Sequence, residues 1–347
     1  MLHKIKNKLN QELKIFIKDI DQFYRLKGIS PVLSNSIKEF LLRDGKRIRP
    51  ILLIIGFKAF SRKNPFGLYK CALSLELLHD FMLVHDDIID RSNKRRGKSS
   101  MHKMLGDYLK RYPNCKSSGS DLAIVTADVM YALAIHAFLS IKIDFILKEK
   151  ALRKFIEATV FTGSGEFIEL LYSIENIDKI KKEKIFKIYD LKTAFYTFAA
   201  PLAMGAILAG ANNTEINKIF KIGLNLGRAF QIKDDIIGMF SEQKQSGKSS
   251  LTDLQEAKKT LLIWHAYNKN SKNKMAIKNI LNKKKVTKTD LVKMRKLLKT
   301  SGSLDYAKNQ ISELNTTVKK LITNSRMRKK YKLVLENLTK DILLKKC

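Results

Sequence analysis

Pro31, Pro50, Pro65, Pro113 and Pro201 are the only prolines in 347 residues, and 16 glycines share the punctuation with them. Proline removes a backbone donor and clashes with the preceding turn, so the intervening stretches, rich in Leu, Ile, Lys and Glu, favour long helices. The expected fold class is therefore all-α. With 45% hydrophobic residues the chain can bury a large core, as one large or two ordinary domains.

The helical pattern starts at once. Leu2, Ile5, Leu9, Leu13, Phe16, Ile17, Ile20 and Phe23 fall at helical spacing with Lys on the other face, an amphipathic helix within residues 1–28 expected to pack on the body or on a second subunit rather than on a membrane. A second segment runs to Gly45, and Pro50 opens an apolar run through Phe60. From Leu68 an apolar helix pattern runs straight into His85-Asp86-Asp87-Ile88-Ile89-Asp90. Residues 107–121 read as the clearest loop. Helices resume over Leu122–Ile174, Ile185–Ala211 and Ile216–Phe240, a polar loop is expected over 241–253, and Lys-rich helices complete the chain.

The formal net charge of +34 would attract polyanions. Clusters such as Lys283-Lys284-Lys285 nevertheless read as solvated helix faces, and no nucleic-acid-binding signature accompanies them, so no nucleic-acid partner is expected. Scattered Cys71, Cys115 and Cys347 give neither a disulfide framework nor a zinc spacing and fit a reducing, cytoplasmic setting. The N-terminal region lacks the uninterrupted apolar core of a signal peptide, and no segment reads as long enough to span a membrane.

Asp86 and Asp90 lie one helical turn apart, their Cβ atoms about 5 to 6 Å from each other. Such like charges repel, and they follow an apolar stretch where burial sharpens the cost. The plain alternative is a surface turn in which Asp87 pairs with Arg91 and Asp90 with Lys94. A second acidic pair, Asp234-Asp235, ends another apolar helix, with Gln231 just before it. Two carboxylate clusters on two helices suit hard, oxygen-seeking cations; magnesium takes one or two carboxylates plus substrate phosphates, which predicts a phosphorylated ligand. Cations for phosphate stand near loops and helix ends: Lys46, Arg47 and Arg49, Arg95 and Arg96, Lys192, Lys248 and Lys258.

Six segments in this order resemble the trans-isoprenyl diphosphate synthase family, and within it the short-chain archaeal type. They are GKRIRP at 45–50, HDFMLVHDDIIDRSNKRRGKSSMH at 79–102, KTAFY from Lys192, FQIKDDIIGMF at 230–240, GKSSLTDLQEAKKT at 247–260 and TSGSLDYAKNQISEL from Thr300. The likeness covers nearly everything from about residue 30. It implies one large helical bundle with a central cavity over residues 29–347, homodimerisation, and condensation of isopentenyl diphosphate with dimethylallyl, geranyl or farnesyl diphosphate.

By the same resemblance, Asp86 and Asp90, with Asp87 in support, would bridge two Mg²⁺ ions to the allylic diphosphate, and Asp234, less firmly Asp235, would hold a third. Arg95, Lys192, Lys248 and Lys258 would neutralise that diphosphate. Lys46, Arg49, His79 and Arg96 would hold isopentenyl diphosphate, and Thr193 and Gln231 would steady the developing cation. An aromatic five positions before the first Asp sets product length in short-chain members; Phe81 stands there, with Met82 beside it. Twenty carbons is the expected length, with a fifteen-carbon farnesyl product as the alternative. Three departures stand out: Gly238 replaces a third Asp, Asp44 replaces a glycine before GKR, and Ala257 replaces the glycine of EGK. A terpene cyclase would need a different second metal motif and has no use for GKRIRP, whereas a non-catalytic synthase subunit would tend to lose the aspartates kept here.

Overall fold

The computed structural model describes residues 1–240 and 250–344, so Lys248 and Cys347 lie outside the described residues. Among these, β-structure is confined to one two-stranded hairpin, Lys94–Arg95 against Lys98–Ser99; everything else regular is helical, as expected. The chain packs as two compact units, Met1–Arg153 with Ile207–Gly210, and Lys154–Ala206 with Ala211–Cys347.

In the first unit the Leu2–Tyr24 helix buries Ile5, Leu9, Leu13, Phe16, Ile17 and Ile20, each such side chain contributing about 1.5–3 kcal/mol by leaving water. Its apolar face is consumed by the helices Ile48–Phe60 and Leu68–Ile89, and the polar side is tied down by Asp19 to Lys70 at 2.6 Å and Lys6 to Asp44 at 3.1 Å. The Leu68–Ile89 helix, the first aspartate helix, packs extensively on Gly119–Leu139. The expected loop at 107–121 is shorter than its sequence suggested. One helix, Met101–Leu109, ends inside it, and the next starts at Gly119, where Ser118 and Asp121 form a reciprocal capping box.

The second unit is organised around the Asn213–Phe240 helix, the second aspartate helix, which packs against the Tyr189–Ala199 segment and Ser303–Thr323. Tyr189–Ala199 is π-helical and continues Lys182–Ile188 without a break into Ala200–Leu208. It is gripped by backbone on two sides. A Cβ added to Gly165 would come 2.8 Å from the Lys192 nitrogen, and one on Gly227 would come 2.4 Å from the Ala194 Cα, so only glycine allows these approaches. The polar loop expected at 241–253 falls largely outside the described residues, but Ser250–Gln255 is helical.

One expectation is corrected. Two runs, Gly119–Leu139 and Lys182–Leu208, are long and apolar enough to cross a membrane by length and composition. The second reaches that length because the π segment joins two shorter helices, and 83% of its most apolar window is buried inside the protein. Its apolarity serves the core.

Candidate active site

In the first unit the sequence-predicted cations gather around buried acids. Arg47 is 4% exposed and donates to Glu76 at 2.7 Å, to Asn10 at 3.2 Å and to the carbonyls of Leu41 and Arg43. Arg96 reaches Asp80 at 3.0 Å and Glu76 at 3.5 Å. Arg96 and Gly97 both have positive φ and form the tight two-residue turn of the hairpin. Arg43 holds the same hairpin from below, donating to the Ser99 carbonyl at 2.8 Å and the Arg95 carbonyl at 3.3 Å while paired with Glu39. GKRIRP at 45–50 and RRG at 95–97 are thereby fastened to one helix.

Electrostatics follow from this crowding. Burial, and then the charges of Arg49, Arg96, Arg95 and Arg47, hold His79 well below the usual histidine range, so it is neutral at pH 7. Burial and the neighbouring Glu76 push the Asp80 carboxyl up to about 7, against the pull of Arg96, Arg47 and Arg49. Lys46 is exposed and Arg49 half-buried.

At the end of the first aspartate helix, the Asp90 N–H donates to the Asp86 carbonyl at 2.8 Å, closing the turn that brings the two residues onto one face. Asp87 is fully buried and accepts two bonds from Arg95, at 2.5 and 2.9 Å. The surface pairing of Asp87 with Arg91 is therefore not what forms. Burial lowers the Arg95 pKa, but the bond and charge of Asp87, then Asp86 and Asp90, outweigh it and raise it. Three carboxylates thus face one guanidinium. Phe81 packs edge-on to His85, centroids 4.8 Å apart, and against Tyr131 at 5.2 Å; Phe81 and Met82 are half-buried.

In the second unit, Lys192, Thr193, Gln231, Asp234, Asp235 and Lys258 line one cavity of about 390 Å³, together with Gly238 at the departure from the usual third Asp. The π-helical backbone carries Lys192 and Thr193; π-helical turns are frequent at functional sites. Lys192 pairs with Glu166 and Glu169. Thr193 donates to Gln231 Oε1 at 2.7 Å, and Gln231 Nε2 donates to Asp235 Oδ1 at 2.9 Å. Asp235 Oδ2 accepts from Tyr189, so both of its oxygens are engaged; Asp234 is exposed to solvent. Lys258 pairs with Glu256 at 2.8 Å. Ala257, where a glycine is usual, takes φ 51°, the left-handed conformation that explains the usual residue and costs Ala about 1–2 kcal/mol.

Sequence reasoning missed Tyr189, Glu166, Glu169 and Lys259. Lys259 lines the cavity, donates to the Ser173 carbonyl at 2.7 Å, and is brought down to about 8 by burial, with Glu175 opposing. Glu166 and Glu169 stand three apart on the Phe145–Ile174 helix, a spacing that puts both on one face.

The polyprenyl synthetase family model matches residues 30–298. The geranylgeranyl diphosphate synthase of Sulfolobus acidocaldarius is 32% identical over 86% of this chain and 88% of its own. The chain belongs to the polyprenyl synthetase family. Other polyprenyl synthetase relatives include a geranylfarnesyl diphosphate synthase of Aeropyrum pernix, 31% identical over 80% of this chain and 83% of its own. Among solved structures, the geranylgeranyl pyrophosphate synthetase of Pyrococcus horikoshii superposes with a TM-score of 0.81 at 26% identity over 99% of both chains. A geranylgeranyl pyrophosphate synthase of Corynebacterium glutamicum, complexed with isoprenyl diphosphate and magnesium, shares the fold at a TM-score of 0.89, 23% identity and full coverage of both chains. As a polyprenyl synthetase the chain is an enzyme that transfers prenyl groups.

Proposed function

We propose that the protein condenses isopentenyl diphosphate with an allylic diphosphate (dimethylallyl, geranyl or farnesyl) to a short-chain all-trans prenyl diphosphate, geranylgeranyl diphosphate being the main product. The observation that carries this is the convergence of Lys192, Thr193, Gln231, Asp234 and Lys258 on one cavity, from three stretches of sequence that have no other reason to meet. The allylic C–O bond breaks with its electron pair leaving on diphosphate, the isopentenyl double bond attacks the allylic carbon in 1'-4 coupling, and a proton leaves to the departing diphosphate. No side-chain nucleophile is needed. Lys192 and Lys258 meet the charge that grows on the leaving group, which is where cations placed in advance are worth most, and the family resemblance implies the same part for Arg95. Lys46, Arg49, Arg96 and neutral His79 receive isopentenyl diphosphate.

The residues fit magnesium. Among the described residues no group of three or more His, Cys, Asp or Glu could hold an ion by itself; what the chain offers is one or two hard carboxylates at a time, the number magnesium takes when phosphate oxygens and water complete its shell. Asp86, Asp90 and Asp234 would hold about three ions per active site, as the family resemblance implies. Bound there, magnesium neutralises diphosphate charge as a Lewis acid. We read the enzyme as a cytoplasmic homodimer with no nucleic-acid partner and at most weak peripheral membrane association, since the apolar face of the N-terminal helix is spent on the core.

Incubation with isopentenyl diphosphate, Mg²⁺ and each allylic diphosphate should give extended products; none with any of the three ends this reading. The two substrates should separate by mutation. Lys46→Ala and Arg49→Ala should raise the isopentenyl KM about ten-fold with little change in kcat, whereas Lys192→Ala should lower kcat by a similar factor. Untouched isopentenyl kinetics in Lys46→Ala would remove GKRIRP from the binding site. Product length should respond to Phe81→Ala, alone or with Met82→Ala: the ring is held by His85 and Tyr131, and its loss should shift products beyond twenty carbons. Chromatography of the dephosphorylated alcohols reads this directly; an unchanged distribution in the double variant places the floor on other helices.

A further inference from the structure

A chain of hydrogen bonds runs along the wall of the second unit's cavity, and its direction is set by the carboxylate within it, which accepts from both sides. The Leu261 N–H donates to the Tyr189 oxygen at 3.0 Å. Leu261 opens its helix, so this N–H lacks a partner within the helix and is a fixed donor. The Tyr189 hydroxyl in turn donates to Asp235 Oδ2. A carboxylate only accepts, so Gln231 must turn its NH₂ end to Asp235 Oδ1, at 2.9 Å, and its carbonyl end away. That carbonyl accepts from Thr193 Oγ1 at 2.7 Å. The single hydroxyl proton of Thr193 is thereby committed, and Thr193 keeps only oxygen lone pairs for the cavity that all four residues line.

Resting on the function proposed above, we infer that Asp235, held in place by the Tyr189 hydroxyl, is a positioning residue that sets the polarity of Gln231 and Thr193, so that Thr193 turns a lone pair towards the allylic carbon as it becomes positive. Asp235 serves this chain rather than a metal. A lone pair stabilises an adjacent positive carbon, while an O–H aimed at the same carbon would repel it; reversing one link would reverse the sign of the contribution.

Tyr189→Phe deletes one hydroxyl and keeps the ring. It should lower kcat about ten-fold, leave the isopentenyl KM within two-fold, and leave the magnesium concentration for half-maximal rate unchanged. Asp235→Asn should follow the same pattern, whereas Asp234→Asn should raise the magnesium requirement at least ten-fold. Because the links form one chain, Tyr189→Phe combined with Gln231→Leu should lose no more than the larger single variant, where independent contributions would multiply. A readout apart from turnover is magnesium-dependent binding of a non-ionisable thiolo analogue of an allylic diphosphate, measured by calorimetry. Asp235→Asn should bind it within three-fold of the unmodified enzyme, since the analogue bears no positive carbon. A magnesium requirement raised in Asp235→Asn as far as in Asp234→Asn, or losses that multiply, overturns the inference while turnover by the unmodified enzyme preserves the function; no turnover by that enzyme overturns both.

Discussion

Asp86→Ala and Asp234→Ala are each expected to lower turnover about a thousand-fold, roughly 4 kcal/mol of transition-state stabilisation, the scale of a lost Lewis-acid contact. Neither should unfold the protein. Asp86 is half-buried at a helix end and Asp234 is exposed. The backbone bond from the Asp90 N–H to the Asp86 carbonyl does not depend on the side chain, and Ala is the better helix former. Asp86→Ala also relieves repulsion among three carboxylates that share Arg95, so a thermal midpoint unchanged or slightly raised, beside the collapse in rate, is the expected signature. Near-normal rates in both variants would remove the metal assignment. Helical circular dichroism and a magnesium titration complete the measurement.

Arg47→Ala should do the opposite, costing stability first and rate only as a consequence. Arg47 and Glu76 are both nearly fully buried and meet at 2.7 Å, and the guanidinium also ties Asn10 on the N-terminal helix to the carbonyls of Leu41 and Arg43. Removing one partner of a buried pair leaves the other charge uncompensated, at a cost of about 3–5 kcal/mol. Arg96 stands 3.5 Å from Glu76 and will recover part of that. Adding Glu76→Gln to Arg47→Ala should restore more stability than independent changes would. Denaturant unfolding that shifts by less than 1 kcal/mol in Arg47→Ala would mean that this network does not hold the unit together.

What the sequence made legible follows local rules. Asp86 and Asp90 share a face because a helix has 3.6 residues per turn, and Thr193, Gln231 and Asp234 were marked by short ordered motifs. In the sequence Arg47 reads only as one cation among the phosphate binders, and the fold makes it structural, because its role depends on Glu76, 29 residues away. Glu76 and Asp80 did leave a signal, two acids at i, i+4 inside an apolar run, which requires buried counter-charges. Tyr189 left none: an aromatic on an apolar helix looks like core until Asp235 and the Leu261 N–H are seen beside it.

The π segment also bears on how the helix Lys182–Leu208 was readable at all. A stretch with a wider turn acts as a phase shift: residues before Tyr189 and after Ala199 obey the same 3.6-residue rhythm but on different clocks. No single apolar stripe can therefore be drawn along the whole rod, and Lys192 and Thr193 sit where the two rhythms change over. Deleting one residue between Tyr189 and Ala199 would let the rod return to a uniform α-helix while turning everything beyond the cut by about 100°. Either the Lys192 end or the buried Ala200–Leu208 end could keep its place, but not both.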